Sequence, residues 1–226
     1  MLTVVCWLWR GWRPVYTADH VNRLERMLAR NLTIPHRLIC ATDMPRGINC
    51  ETVPIPVIHG FEKWPKALPN CFRRLHLFAG ESARIYGERC LSIDLDCIIT
   101  GNMDSLITDD PFKILRGGVC PYNGSLWQVT PGWRPDVWHD LSMDLVRQSG
   151  KDRMPNGRRP FGSDQVVMAH KIKGAPTWGN ADGVYQYMGT GDKVPIGAKV
   201  LFFAGGRKPW DEKCGLRDLY FQLSDE

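Results

Sequence analysis

The sequence predicts an α/β fold with a mixed, mostly parallel central sheet and helices on both faces. Three observations predict it. Apolar strand-like runs alternate with amphipathic segments of helical period through the first hundred residues, the order expected of parallel strands joined by helical crossovers. The chain has 226 residues, 43% of them hydrophobic, which suits one domain with a substantial core. The run "SIDLDCII" at residues 92–99 carries two aspartates toward its carboxyl end, and open α/β sheets bind their ligands beyond the carboxyl ends of strands.

Each element follows from its pattern. "TVVCWLW" reads as a buried first strand. "YTADHVNRLERMLARNL" reads as a helix, with Val21, Leu24 and Leu28 on one face, Arg23, Glu25 and Arg26 off it, and Thr17 as its cap. "HRLICATD" and "ETVPIPV" are the second and third strands. "NCFRRLHLFAGESARIYG" is a second helix, with Cys71, Leu75, Phe78 and Ala79 along one stripe. In "SIDLDCII" the apolar Ile93, Leu95 and Cys97 alternate with Ser92, Asp94 and Asp96. A regular strand puts Asp94 and Asp96 on one face, about 6–7 Å apart. Aspartate is disfavoured in strands and an unpaired buried charge is costly, so a cation is expected there. A hard divalent ion and an arginine both qualify, and a solvated strand end with two surface carboxylates is the third reading.

Beyond residue 100, "FKILRG" and "NGSLWQVT" read as strands, "RPDVWHDLSMDLV" and "SDQVVMAHKI" as helices, and "KVLFFAGG" as a last strand running into a glycine turn. Residues 150–160 are the expected mobile segment. There is no internal repeat, low-complexity tract or linker, so residues 1–226 are expected to form a single domain.

Composition narrows the function classes. No apolar run reaches the ~18 residues needed to span a bilayer. "MLTVVCWLWRGW" has no basic stretch ahead of its apolar run and reads as a strand, not a signal peptide. A cytoplasmic protein is expected. The eight cysteines include no Cys-x-x-Cys pair, and Cys6, Cys40 and Cys97 lie in apolar runs as small hydrophobes. The net charge of +5, with arginine groups at "RGWR", "FRR" and "NGRRP", fits a phosphate-bearing ligand and does not require nucleic acid.

Five motifs in order carry a resemblance to the GT-A glycosyltransferases, closest to the family-8 group of glycogenin and the bacterial lipooligosaccharide galactosyltransferases. "IDLDCII" resembles their Asp-x-Asp strand. "FRRLHLF" is similar to the preceding helix with a basic residue near the donor, matched by Arg74. "YNGSLW" resembles the strand bearing an asparagine at the sugar, matched by Asn123. "SDQVVM" matches their Asp-Gln at a helix start, and "FFAGGRKPW" is similar to their closing His-Phe-x-Gly-x-x-Lys-Pro-Trp. "VVCWLW" and Tyr16 match the end that holds the nucleotide base.

The resemblance implies a GT-A type, Rossmann-like domain, with a nucleotide-binding half of about residues 1–100 and an acceptor and sugar half of about 101–226. It implies transfer from a nucleotide-diphosphate sugar, of the UDP class, to a hydroxyl, with retention and with Mn²⁺ or Mg²⁺. Asp94 and Asp96 would hold the metal, Asp94 also touching the donor. Trp7, Tyr16, Arg74 and Gly205 would bind the donor. Lys208 would meet the leaving diphosphate, and Asn123, Asp164 and Gln165 would complete the catalytic set around the sugar. Singly, Asp164 also reads as a first-turn acid, Lys208 as a surface residue and Gly205-Gly206 as a turn. The family's metal-binding histidine is replaced, with Phe202 and Ala204 at its two candidate positions. That leaves Asp94 and Asp96 as the side-chain ligands. The acceptor is open between a glycan, a protein and a hydroxylated base in DNA. A non-catalytic sugar-nucleotide module and a phosphatase with an Asp-x-Asp nucleophile are the competing classes. The phosphatase pattern opens a first strand, whereas here three strands precede it.

Overall fold

The computed structural model describes residues 1–11, 15–63, 70–118, 120–153, 163–187, 193–203, 205–206 and 208–225. The chain opens with β1 (Leu2–Leu8), buried along its whole length. Helix α1 (Ala18–Asn31) follows, burying Val21, Leu24, Met27 and Leu28. At its start the Thr17 backbone N–H donates to Nδ1 of His20 (2.9 Å). Next come β2 (His36–Thr42) and β3 (Glu51–Pro54), with Pro54 tolerated because β3 is an edge strand.

The predicted second helix is two pieces: a 3₁₀ helix over Asn70–Phe78 and a short α2 (Ala83–Tyr86). The Leu77 carbonyl accepts from the Ser82 hydroxyl (2.9 Å) and the Gly132 N–H (3.0 Å), which diverts it from a continuing helix. Three residues per turn align Phe72, Leu75 and Phe78, all fully buried. The predicted stripe through Cys71 and Ala79 rested on a period of 3.6.

The predicted "SIDLDCII" strand is also divided. β4 (Arg89–Ile93) ends one residue before Asp94, and β5 (Cys97–Ile99) begins one residue after Asp96. β4 pairs with β1 and with a later strand of the large sheet, whereas β5 turns away into a second sheet. Asp94 and Asp96 therefore stand at the crossing between two sheets, not on one face of a strand.

The remainder comprises β6 (Phe112–Arg116), β7 (Tyr122–Val129), α3 (Asp136–His139), α4 (Met143–Arg153), α5 (Asp164–Lys171), β8 (Thr177–Trp178), β9 (Val184–Tyr187), β10 (Val200–Phe203) and α6 (Arg217–Asp225). "RPDVWHDLSMDLV" is thus two helices, parted where the Ser142 side chain accepts from the Leu145 N–H (3.3 Å) and starts a new turn. Residues 150–153 of the segment expected to be mobile belong to α4; the rest of it lies outside the described residues. β8, β9 and α6 were not anticipated.

The large sheet has the order β3-β2-β1-β4-β7-β6-β8, and the small one β5-β10-β9. β3, β2, β1 and β4 are parallel, and β7 runs antiparallel to β4 and β6. β1 is buried on both faces: Val4, Cys6 and Leu8 join the core under α1, while Val5 and Trp7 join the core under the 3₁₀ helix and α5. Arg23, Arg26 and Arg30 of α1, two of them expected on a solvated face, bind the carboxyl end of α6, where cations favour the helix dipole. All eight cysteines are free. Among the described residues, no helix is long and apolar enough to cross a membrane.

Leu24 is fully enclosed between α1 and the sheet. Leu24→Ala is expected to cost about 2–5 kcal/mol, as transfer and cavity terms add. Denaturant titration checks this, and a midpoint equal to wild type would place the α1 face outside the core.

Candidate active site

Three loops and two helices converge where the large sheet hands the chain to the small one. Asp94 follows the end of β4, and its N–H is held by the Ser125 carbonyl of β7 (2.9 Å). Arg74 projects from the 3₁₀ helix into this crossing, with 5% of its surface exposed. Its Nη1 donates to Oδ1 of Asp94 and to the Gly124 carbonyl (2.9 Å). Its Nε and Nη2 both reach Oδ2 of Asp164, at 2.7 and 2.6 Å. Asp164, 1% exposed, is the first residue of α5, where the helix dipole also favours a carboxylate.

Asp96 heads a second group. Its Oδ2 accepts from Lys208 Nζ (2.6 Å) and from the Tyr16 hydroxyl (3.0 Å). Lys208 Nζ donates in turn to the Tyr16 oxygen (2.8 Å), closing a triangle. The Lys208 N–H is fixed by Asp211 (2.8 Å). The Asp96 carbonyl accepts from Phe203 of β10 (3.0 Å), so both sheets share in setting the pair's position.

The electrostatics follow from burial. Burial pushes the Asp94 carboxyl up to about 6; the Arg74 guanidinium opposes the rise, and Asp96 and Asp164 add to it. Burial works against the Arg74 charge, but Asp164 and Asp94 outweigh it and raise its pKa. The Tyr16 phenol is raised, first by burial and then by Asp96.

The other predicted residues surround this cluster. A pocket of about 170 Å³ opens onto it, lined by Trp7, Tyr16, Arg74, Asp94 and Asp96, with Trp9 and Cys71 beside them. Trp7 turns its indole N–H away, to Ser92 (3.0 Å). Gln165 Oε1 accepts from the Gly124 N–H (3.0 Å), and Asn123 Oδ1 from the Ser125 N–H (2.8 Å). Gly205 has φ +67°, a left-handed backbone suited to glycine. Phe202 lies in β10, opposite Cys97, with its ring in the core; Ala204 lies outside the described residues. Among the described residues, no group of three or more His, Cys, Asp or Glu could hold a metal. A larger groove of about 540 Å³, lined in part by Arg116, Tyr122 and Lys173, contains no carboxylate. The charged groups meet at the smaller pocket, which makes it the candidate site.

Two contributions escaped the sequence reading. A Cβ on Gly124 would stand 2.6 Å from Arg74 Nη2, so the bare backbone makes room for the guanidinium. Trp210 and His20 wall the Tyr16 ring, with centroids 5.7 Å from Tyr16 to Trp210 and 3.9 Å from His20 to Trp210. The glycine in "YNGS" and the Trp of "KPW" were visible but had no partner until the fold supplied one.

Among solved structures, the chain superposes on the galactosyltransferase LgtC in complex with donor and acceptor sugar analogs. The TM-score is 0.64 and the identity 13%, over 99% of this chain and 95% of that one. It superposes likewise on the glycosyltransferase GlyE of Streptococcus pneumoniae TIGR4, with a TM-score of 0.64 and 13% identity, over 99% of this chain and 61% of that one. For the bifunctional glycosyltransferase WbbM the TM-score is 0.64 and the identity 11%, over 98% of this chain and 49% of that one. No family model and no curated protein matches the sequence. The likeness is one of architecture: the chain has the GT-A fold that the motif order implied.

Arg74→Met strands Asp164 as a buried charge without its guanidinium. Breaking such a pair from one side costs about 3–5 kcal/mol. Chemical denaturation measures it, and wild-type stability in Arg74→Met would show that Asp164 is not held charged in the interior.

Proposed function

We propose that the protein is a glycosyltransferase that moves a sugar from a nucleotide-diphosphate sugar, of the UDP class, to a hydroxyl acceptor with retention, assisted by Mn²⁺ or Mg²⁺. One observation carries this reading: Asp94, Asp96 and Asp164 are gathered with Arg74 and Lys208 beside a pocket at the crossing of the two sheets. Residues 1–100 supply Arg74, Asp94 and Asp96, and residues 101–226 supply Asp164 and Lys208. The proposed nucleotide and sugar halves therefore meet at the cluster.

The donor set suits a hard divalent ion. Asp94 and Asp96 offer carboxylate oxygens, and the Lys208 ammonium on Asp96 stands in for a cation. With Phe202 in the core, Asp94 and Asp96 would be the side chains to hold an ion, and its remaining ligands would come from substrate phosphate and water. The bound ion supplies Lewis-acid charge to the leaving diphosphate. Lys208 adds a positive charge to the same group, worth most in the transition state as negative charge builds. Gly205 lets the backbone approach the phosphates. Trp7 and Tyr16 face the base. Asn123 of β7 and Gln165 of α5 flank the Gly124 backbone that Arg74 binds and direct the sugar hydroxyls.

Asp164 acts on the sugar itself. Two nitrogens of Arg74 converge on its Oδ2, so the carboxylate is held in one orientation. It steadies an oxocarbenium-like sugar while the acceptor hydroxyl attacks from the leaving-group side. A carboxylate clamped by a guanidinium is a weaker nucleophile than a free one, which favours this role over a covalent intermediate. The reading leaves the acceptor open between a glycan, a protein and a hydroxylated base in DNA, each of which offers a hydroxyl. The "FRR" arginines that suggested DNA serve the interior: Arg73 binds the Pro56 carbonyl and the Phe61 ring, and Arg74 the cluster.

Incubation with a panel of nucleotide sugars, reading nucleoside diphosphate release and anomeric configuration by NMR, tests the proposal. Release from one donor with retention is expected. Lys208→Ala should raise the barrier by about 2–4 kcal/mol, as loss of one oxyanion donor does, with donor affinity falling less. A Lys208→Ala protein with normal turnover and weakened donor binding alone would remove the leaving-group role. No release from any nucleotide sugar would favour a binding module.

A further inference from the structure

We infer that Lys208 is an exchangeable cation at Asp96: without nucleotide it occupies the carboxylate, and a divalent ion enters only together with a diphosphate that draws the lysine away. This rests on the nucleotide-sugar reading above. The ammonium makes two hydrogen bonds, 2.6 Å to Asp96 Oδ2 and 2.8 Å to the Tyr16 oxygen. The side chains of Lys208 and Asp96 are only 11% and 10% exposed. An ion arriving alone must therefore strip a buried pair and leave an ammonium unpaired within the same crossing as Arg74. Removing one partner of a buried pair is strongly unfavourable.

Charge counting points the same way. Asp94, Asp96 and Asp164 against Arg74 and Lys208 leave the cluster with a single negative charge. A divalent ion added alone inverts that sign beside two enclosed cations. A divalent ion added with a doubly charged diphosphate keeps it. The diphosphate also offers Lys208 a new anionic partner, so the ammonium is never left bare. The lysine can make this move: it is a flexible four-carbon stem, anchored at its backbone by Asp211 and preceded by Gly205 and Gly206. Ion and diphosphate then raise each other's affinity by the same factor, since coupling between two sites is reciprocal.

Mn²⁺ titration of the full chain, followed by the electron paramagnetic resonance of free Mn²⁺, tests this with UDP as the probe. Wild type is expected to bind Mn²⁺ weakly alone and roughly 10–100-fold more tightly with UDP, within the ordinary range of site coupling. Lys208→Met should bind Mn²⁺ without UDP, whereas Lys208→Arg, which keeps the charge, should retain the dependence on UDP. Tight Mn²⁺ binding by wild type without UDP overturns the inference, and this arm needs no variant to fold. Failure of Lys208→Met to gain nucleotide-free binding also overturns it, as does loss of the UDP dependence in Lys208→Arg. If UDP has no effect on wild type while Lys208→Met gains Mn²⁺ binding, the lysine block stands and the nucleotide-sugar reading falls.

Discussion

The cluster depends on one guanidinium. Arg74 reaches Asp94 beyond β4, the Gly124 carbonyl of β7 and Asp164 at the head of α5, so three elements take their spacing from it. The cost of enclosing such charge is high, and replacing buried ion pairs by apolar groups is often neutral or stabilising. A core as extensive as this one does not need Arg74 for cohesion. The arrangement is better understood as one that holds its carboxylates in fixed positions, with the apolar packing on both faces of β1 offsetting the cost.

The crossing between sheets explains why the aspartates can exist there at all. Within a regular central strand their side chains would alternate with Leu95 against packed faces. By leaving the large sheet after Ile93 and joining the small one at Cys97, the chain frees the intervening residues from both ladders. Backbone bonds from Asp94 to Ser125 and from Phe203 to Asp96 hold the bend. Each carboxylate then meets its own cation: Arg74 for Asp94 and Lys208 for Asp96. Of the cation readings of the opening motif, the structure shows side-chain cations, Arg74 on Asp94 and Lys208 on Asp96; the metal reading belongs to the nucleotide-bound state we propose.

Much of this was legible in the sequence where the signal is local. The period of α1, the wholly apolar β1 and the polar start of α5 at Asp164 follow from side-chain patterns over a few residues. What was not legible depends on long-range partners. The break within "SIDLDCII" needed β10 as a partner for β5. The 3₁₀ form of Asn70–Phe78 needed Gly132 to take the Leu77 carbonyl. The two-residue β8 has too few side chains to carry a period. The same holds for the site: Arg74, Asp94, Asp96, Asp164 and Lys208 were nameable from motif order, but the pairing of Lys208 with Tyr16 across 192 positions was not. Phe202 was visible as a departure, and its consequence, an apolar ring where a ligand would add a nitrogen, required the strand that buries it.

The most direct measurement is a crystal structure of the protein grown with UDP and Mn²⁺. The diphosphate is expected in the pocket beside Trp7 and Tyr16, with Lys208 Nζ within hydrogen-bonding distance, about 2.7–3.2 Å, of a phosphate oxygen and no longer on Asp96. A diphosphate seated elsewhere, such as in the groove of Arg116 and Lys173, with Lys208 still on Asp96, would contradict the assignment of the buried cluster as the donor site.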